Sequence, residues 1–401
     1  MFRNMAYAGV SAASAGLLLI LFIAAGRTLG DVEFGKFSFA LALGTIFETL
    51  MDFGLHQVTI RAVARDRSQA TALLHHTLGI KLVWTTGALV ALVATATILR
   101  SEWDVRLACY LLGGSLVLRS YMLTIRGVLQ GLERFGWDSF VVVTDRAILL
   151  IVGVAALAAG GGLRSLAMAF VVARGVALAL SAWMTHTHLG GLGLRFDRAI
   201  WRELQTTALP LGFFLVVLNL YSYVDAVMLG VMRTDVETGL YTAAYRVYEG
   251  LSYAPSVIAA VLTPRLSALF VSDRIRHRRL ALVGLAGSTA LAVAVGTVAY
   301  QFATPLMTRL FGEDFAPAAA PFRILCVGLG FVFAIWVLHA IAISVNRERL
   351  LLTTGIIGLV VNVGLNFYLI PHQGASGAAL ATVAGEGVSL VVLVIGLWTH
   401  M

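Results

Sequence analysis

Four arginines and three carboxylates interrupt stretches of sequence that are otherwise built from apolar residues. Arg119, Arg174, Glu48 and Glu386 fall near the middle of such stretches, and Arg146, Arg246 and Asp225 fall inside them but nearer an end. An ionisable group at the centre of a bilayer costs roughly 2.5–3.5 kcal/mol on insertion scales, so each needs a compensating role. A guanidinium binds phosphate oxygens through a planar fork of donors. A buried acid without a fixed cation has its charged form disfavoured and takes up a proton. On this chemistry Arg119, Arg174, Arg146 and Arg246 are candidate substrate-binding residues. Glu386, Asp225 and Glu48 are candidate ion-coupling residues.

Each has a structural alternative. Arg246 and Glu249 are spaced i,i+3 and can neutralise each other on one helix. Asp145 and Arg146 are sequential, so they point about 100° apart and seek different partners. Glu48 and Asp52 share a face at i,i+4, where like charges raise one pKa. Arg119 and Arg174 have no obvious local acid, and the runner-up reading for them is an interhelical salt bridge, for instance with Glu48 or Asp145. His339 suits a packed helix interface better than a relay. Tyr241, Tyr245 and Tyr248 form a stripe at helical spacing, for which a membrane-interface belt is favoured over sugar stacking. Gly30-Asp31-Val32-Glu33-Phe34-Gly35-Lys36 matches the first seven positions of a phosphate-binding loop. Phe37 stands where Ser or Thr is required, so the match fails. Cys109 and Cys326 both lie in apolar runs and supply neither a disulfide framework nor a metal site. No catalytic, zinc or cofactor motif is present.

The elements that must hold these groups are membrane-spanning. The chain of 401 residues is 59% hydrophobic and 12% charged, with a mean hydropathy of +0.88. A soluble domain carries roughly twice that share of charge. Apolar runs of spanning length fall at 5–27, 35–57, 78–99, 107–127, 139–160 and 163–185. A second set falls at 207–231, 239–263, 280–304, 321–343, 350–370 and 376–398. This predicts an all-α membrane protein of about twelve helices in two six-helix lobes, 1–205 and 206–401, joined by a Gly-rich and then charged loop near 187–205. The net charge of +8 does not indicate nucleic acid, because the arginines concentrate in alternate loops. Sixteen arginines, from Arg3 to Arg349, fall on one side of the array, against six (Arg27, Arg100, Arg106, Arg164, Arg233 and Arg309) on the other. The positive-inside rule places the richer side, and both termini, in the cytoplasm. The apolar N-terminus lacks a cleavage site before Arg27 and is expected to be a retained first helix.

The two lobes repeat each other. Asp31-Val32-Glu33-x-Gly35-x-Phe37-x-x-Ala40 recurs as Asp235-Val236-Glu237-x-Gly239-x-Tyr241-x-x-Ala244, an offset of 204, which also maps Gly26 onto Gly230 and Thr59-x-Arg61 onto Thr263-x-Arg265. Gly162 through Ala167-x-Ala169-x-Val171-x-x-Arg174-Gly175-Val176 recurs as Gly374 through Ala379-x-Ala381-x-Val383-x-x-Glu386-Gly387-Val388, an offset of 212. Six helices per lobe give both lobes the same direction through the membrane, the parallel kind of repeat found in transporters.

Several segments along this frame resemble the oligosaccharide (Wzx-type, O-antigen) flippases of the MOP superfamily, relatives of lipid II flippases and MATE-type exporters. They are Leu29-Gly30 through Phe34-Gly35-x-Phe37, Asp52-Phe53-Gly54-Leu55, Gln130-Gly131-Leu132-Glu133-Arg134-Phe135 and Asp225-x-x-Met228-Leu229-Gly230. The last is Asn366-x-x-Leu369-Ile370-Pro371 through Gly377-Ala378-Ala379-x-Ala381-Thr382. The resemblance covers the chain and implies two V-shaped lobes, a central, often cationic cavity and alternating access driven by an ion gradient. The end of the chain after the twelfth run argues against the lipid II branch, which carries an extra helix pair. The expected function is therefore a non-enzymatic flippase of the inner membrane. It would carry undecaprenyl-pyrophosphate-linked oligosaccharide from the cytoplasmic to the periplasmic leaflet during polysaccharide biosynthesis. Its expected partners are that lipid-linked oligosaccharide, membrane lipids and polysaccharide assembly machinery, with no cofactor. A MATE-like multidrug or cation antiporter is the first alternative, expected to have an acidic and aromatic site. A membrane glycosyltransferase or polymerase is the second, disfavoured because the longest periplasmic loop, near 305–320, carries only Arg309, Glu313 and Asp314.

Overall fold

The computed structural model describes residues 14–398, and among them it is helical with no strand. The start of the first apolar run and Arg3 lie outside the described residues, as do residues 399–401. Thirteen α-helices follow in order. The first seven are α1 (Ala15–Asp52), α2 (Leu55–Arg65), α3 (Ala70–Leu99), α4 (Trp103–Gly131), α5 (Phe135–Ala158), α6 (Leu163–Leu189) and α7 (Arg198–Met232). The rest are α8 (Asp235–Ser252), α9 (Ala254–Ser272), α10 (Arg274–Gln301), α11 (Ala303–Phe311), α12 (Ala319–Ser344) and α13 (Glu348–Leu397). Nine helical segments among the described residues are long and apolar enough to cross a membrane.

Two of the long helices are broken internally. Gly30 in α1 (φ 72°, ψ 178°) and Gly374 in α13 (φ 54°, ψ −131°) adopt backbone conformations that only glycine takes up readily. The break in α1 falls between the expected runs 5–27 and 35–57, and the break in α13 between 350–370 and 376–398. The described helices are therefore compatible with twelve spanning segments. The breaks also recur along the repeat. Gly30 plus 204 is Thr234, the N-cap of α8, whose hydroxyl accepts from the Glu237 amide at 3.3 Å. Gly374 minus 212 is Gly162, the N-cap of α6.

The chain divides into two compact units, 1–223 and 224–401, with the division inside α7. In unit 1, α4 packs against α1, α2, α3 and α6, and in unit 2 α12 packs against α8, α9, α10 and α13. Phe34, Phe37 and Phe39 are fully buried in unit 1, as are Phe315, Phe322 and Phe333 in unit 2. Meanwhile Val90, Ile98, Ile151, Val271, Val360 and Ile395 are more than half exposed. Leaving a side chain of this size in water forgoes about 1.5–3 kcal/mol of burial, a penalty that lipid removes. The chain is a multi-pass membrane protein.

Candidate functional site

Two sets of buried polar groups stand out, one in each unit. In unit 1 the two deep arginines each meet a carboxylate from another helix. Arg119 Nε of α4 lies 2.7 Å from Glu48 Oε1 of α1, and Arg174 Nη1 of α6 donates to Asp145 Oδ2 of α5 at 2.9 Å. The two pairs are within electrostatic reach of each other, since Glu48 also feels Arg174 and Arg119 feels Asp145. The interhelical salt bridges named as the alternative from sequence are therefore present, and the structure assigns Glu48 to Arg119 and Asp145 to Arg174.

Exposure separates the two arginines. The Arg119 side chain is 34% exposed, whereas those of Glu48, Asp145 and Arg174 are each 5% exposed. Arg119 Nε meets Glu48 as a charge contact without hydrogen-bond geometry, and the other donors of this partly exposed side chain can be offered to an anion. Arg174 is enclosed, and its buried Nε and Asp145 Oδ1 have no hydrogen-bond partner among the described residues. Arg146, next to Asp145, turns away to donate to Ser14 Oγ at 2.7 Å.

A third ion pair in this unit was not singled out from sequence. Lys81 of α3 is fully buried and donates to Asp52 Oδ1 at 2.6 Å and to Thr124 Oγ1 at 2.9 Å. The lone lysine inside the run 78–99 was the signal for it. With Glu48 bound to Arg119 and Asp52 to Lys81, each member of the i,i+4 acidic pair has its own cation. Lys36, from the rejected phosphate-loop match, lies 3.3 Å from Glu33 and 3.4 Å from Glu102.

In unit 2 two buried acids have no ion pair among the described residues. Asp225, at 2% exposure, accepts from Tyr241 Oη and Thr382 Oγ1 on Oδ2 and from Asn366 Nδ2 on Oδ1, each at 2.6 Å. Asn366 Nδ2 is also 3.2 Å from Asn362 Oδ1. No lysine, arginine or histidine among the described residues forms an ion pair with Asp225. Glu386 is equally buried and accepts a short hydrogen bond from Tyr248 Oη. Its other oxygen has no hydrogen-bond partner among the described residues and lies against Gly328, where a Cβ would come within 2.6 Å of it. A carboxylate buried without a counter-ion is costly, so such a site favours a bound proton or a small cation. The surrounding polar residues were missed from sequence, although Asn362 and Asn366, i,i+4 in an apolar run, marked them.

The tyrosine stripe belongs to this second set. Tyr241 and Tyr248 are buried, and their hydroxyls serve Asp225 and Glu386, so the interface-belt expectation is corrected. Tyr245 stacks between them, with ring centroids at 5.7 and 5.8 Å. Arg246 and Glu249 form the local i,i+3 pair at 2.8 Å, and His339 packs edge-on to Trp336.

The repeat makes the contrast between the units specific. At an offset of 204, Asp225 and Tyr241 correspond to Leu21 and Phe37, and at 212 Thr382 corresponds to Phe170. Leu21, Phe37 and Phe170 are all buried, and Phe37 meets Phe170 with ring centroids 5.7 Å apart. The positions that form an apolar core in unit 1 form a polar pocket around an acid in unit 2.

Comparison with known proteins agrees with this architecture. A family model described as "Polysaccharide biosynthesis protein" matches residues 2–270. The "Probable low-salt glycan biosynthesis flippase Agl15" of Haloferax volcanii is 23% identical over 387 residues, covering 94% of this chain and 79% of that protein. The "Probable flippase AglR" of the same organism is 27% identical over 171 residues, 40% of this chain, and the match spans only 35% of that relative's length. Among solved structures, the lipid II flippase MurJ in an inward closed conformation superposes with a TM-score of 0.78 at 12% identity, covering 98% of this chain and 87% of that one. An inward-facing multidrug resistance MATE family transporter of the MOP superfamily superposes at 0.72 and 15% identity, covering 99% and 97%. At these identities the two superpositions establish the fold.

Proposed function

Because the chain belongs to the polysaccharide biosynthesis protein family, we propose that it is a flippase that moves a lipid-linked oligosaccharide between the leaflets of the membrane. The substrate is an oligosaccharide on undecaprenyl pyrophosphate, carried from the cytoplasmic to the periplasmic leaflet of a bacterial inner membrane, with both termini of the protein in the cytoplasm. The observation that carries this reading is the partly exposed Arg119 guanidinium, held by Glu48 beside the enclosed Asp145–Arg174 pair.

The lipid tail can stay in the bilayer during transfer, but the headgroup must cross a region of low dielectric. Its pyrophosphate makes the largest demand, since moving an unpaired ion there costs several kcal/mol. Glu48 keeps Arg119 charged and orients it, and the remaining donors of Arg119 take phosphate oxygens in a bidentate fork. Arg174 and Asp145 hold α5 and α6 together and set the field in which Arg119 works. Arg146, next to Asp145, stands as a secondary phosphate contact in unit 1, and Arg246, paired with Glu249, is a separate anion-binding candidate within unit 2. Transport is coupled to an ion gradient through Asp225 and Glu386, which load and release a proton or a monovalent cation. Glu48, spent on Arg119, couples only if that pair opens. Polysaccharide assembly enzymes are the expected partners.

A second reading, a MATE-like cation antiporter, draws on the acidic and aromatic pocket of unit 2. One reconstitution separates the two. Proteoliposomes containing the purified protein should transfer a fluorescent polyprenyl-pyrophosphate oligosaccharide across the bilayer faster than empty vesicles. The Arg119→Ala protein should not. Gradient-driven exchange of a cationic dye, with no transfer of the glycolipid, would replace the flippase reading with the antiporter.

A further inference from the structure

A second binding feature in unit 1 is lined by none of the residues of the two charged sets. A groove of about 460 Å³ runs between α3, α4 and α6, lined by Leu78, Leu118, Tyr121, Leu178, Ala179 and Ala182. Leu192 and Leu194, in the loop that follows α6, close one end of it. Tyr121 is the one lining residue with a polar side chain, so the groove has little to offer a sugar or a soluble metabolite. From Gly175 to Ala182 it extends roughly 10 Å along α6, within the ~15 Å depth of one leaflet.

The closing loop is fixed in place rather than draped. His75 of α3 bonds the Gly191 carbonyl through Nε2 at 3.1 Å, and the Arg195 amide donates to the His75 carbonyl at 3.1 Å. Gly79 leaves room for the Arg195 carbonyl, which a Cβ at that position would overlap. Pinned this way, the loop presents Leu192, Leu194 and Phe196 at 46%, 65% and 58% exposure, with Phe196 set edge-on to Trp201. Arg195, Arg198 and Arg202 are exposed on the same segment. Of the two acids there, Asp197 is committed to the amides of Ile200 and Ala199, which hold its carboxyl below the usual carboxylate range. Glu203 is the other.

Exposed apolar side chains alternating with arginines, at the mouth of an apolar groove, match the two halves of a charged lipid. We propose that this groove and its closing loop bind an anionic phospholipid of the bilayer, with an acyl chain in the groove and the phosphate at Arg195, Arg198 and Arg202. Arg195 directly follows Leu194, so a headgroup at the arginines and a chain entering beside Leu194 are within one lipid's reach. The site needs no assumption about what the protein transports.

Native mass spectrometry of the delipidated full-length protein tests the proposal, using phosphatidylglycerol and phosphatidylcholine with identical chains. The wild-type protein should bind phosphatidylglycerol at least about fivefold more tightly, the attraction of a single arginine to an anionic headgroup, and more if all three engage it. The Arg195→Gln, Arg198→Gln, Arg202→Gln triple variant should bind the two lipids equally. Ala179→Phe, which fills the groove from an exposed position, should weaken both. If Ala179→Phe does not yield monodisperse protein, Leu194→Ser at the groove mouth gives the same reading. Equal binding of the two lipids by the wild type, or a triple variant that keeps the preference, would overturn the site. So would displacement of bound phosphatidylglycerol by an equimolar polyprenyl phosphate, which would assign the groove to a transported lipid instead.

Discussion

At the scale of single residues, Arg119 and Arg174 have the same chemistry in sequence and different surroundings in the fold. Removing a buried member of an ion pair leaves its partner charged and alone, at a cost of about 3–5 kcal/mol. Arg174→Ala should therefore deplete the protein from the membrane, and adding Asp145→Ala should restore it, measured by fluorescence-detected size exclusion. Arg119→Ala strands Glu48, which is 5% exposed, so it is paired with Glu48→Gln, and the double variant, which leaves no lone carboxylate, should keep abundance near normal while abolishing glycolipid transfer. Arg119→Lys should recover only part of it, because a point charge survives and the fork does not. Full activity of Arg119→Ala would end its role in binding. The acids of unit 2 make a separate prediction. Asn at position 225 can still accept from Tyr241 or Thr382 but carries no charge, and Gln at position 386 can still accept from Tyr248. Both Asp225→Asn and Glu386→Gln should fold, bind substrate and lose gradient-driven transport in proteoliposomes. A variant whose transport still follows the imposed gradient removes that residue from coupling.

Among the elements, the breaks at Gly30 and Gly374 turn continuous helical sequence into pairs of spans. The second is latched from the side. The Arg233 guanidinium bonds both Glu237 oxygens at 2.8 Å and reaches the Pro371 carbonyl at 3.3 Å, and the Glu237 carboxylate fills the space that a Cβ on Gly374 would need. Gly374→Ala therefore meets both a strained backbone, costing on the order of 1–3 kcal/mol, and a displaced ion pair. Its Tm in detergent should fall by several degrees. Gly87→Ala is the control, since it lies within α3 with open space around its Cβ position and should not lower Tm. Equal Tm values for the two variants would mean that the latch contributes nothing to stability.

Across the whole molecule, the arginine asymmetry predicts that reporter fusions after residues 68, 135, 200, 275 and 348 all read as cytoplasmic. Two or more periplasmic readouts would overturn the order of spans. The spans, their repeat and the family resemblance were legible in the chain because burial in lipid demands long apolar runs, and a run of some twenty residues is a local property. The breaks at Gly30 and Gly374 were legible for the same reason, as gaps between runs. Partnership was not. That Arg119 meets Glu48 across 71 positions, or that Asp225 draws together Tyr241, Asn366 and Thr382, depends on which helix faces which, and no local pattern encodes that. Two arginines equally deep in apolar sequence became one partly exposed group and one enclosed group only when α4 and α6 took their places. The repeat shows the division most sharply. It aligns Leu21, Phe37 and Phe170 with Asp225, Tyr241 and Thr382 from sequence alone. Only packing shows that Asp225, Tyr241 and Thr382 converge and that Phe37 meets Phe170, because residues far apart in the chain share an environment only after the helices are assembled.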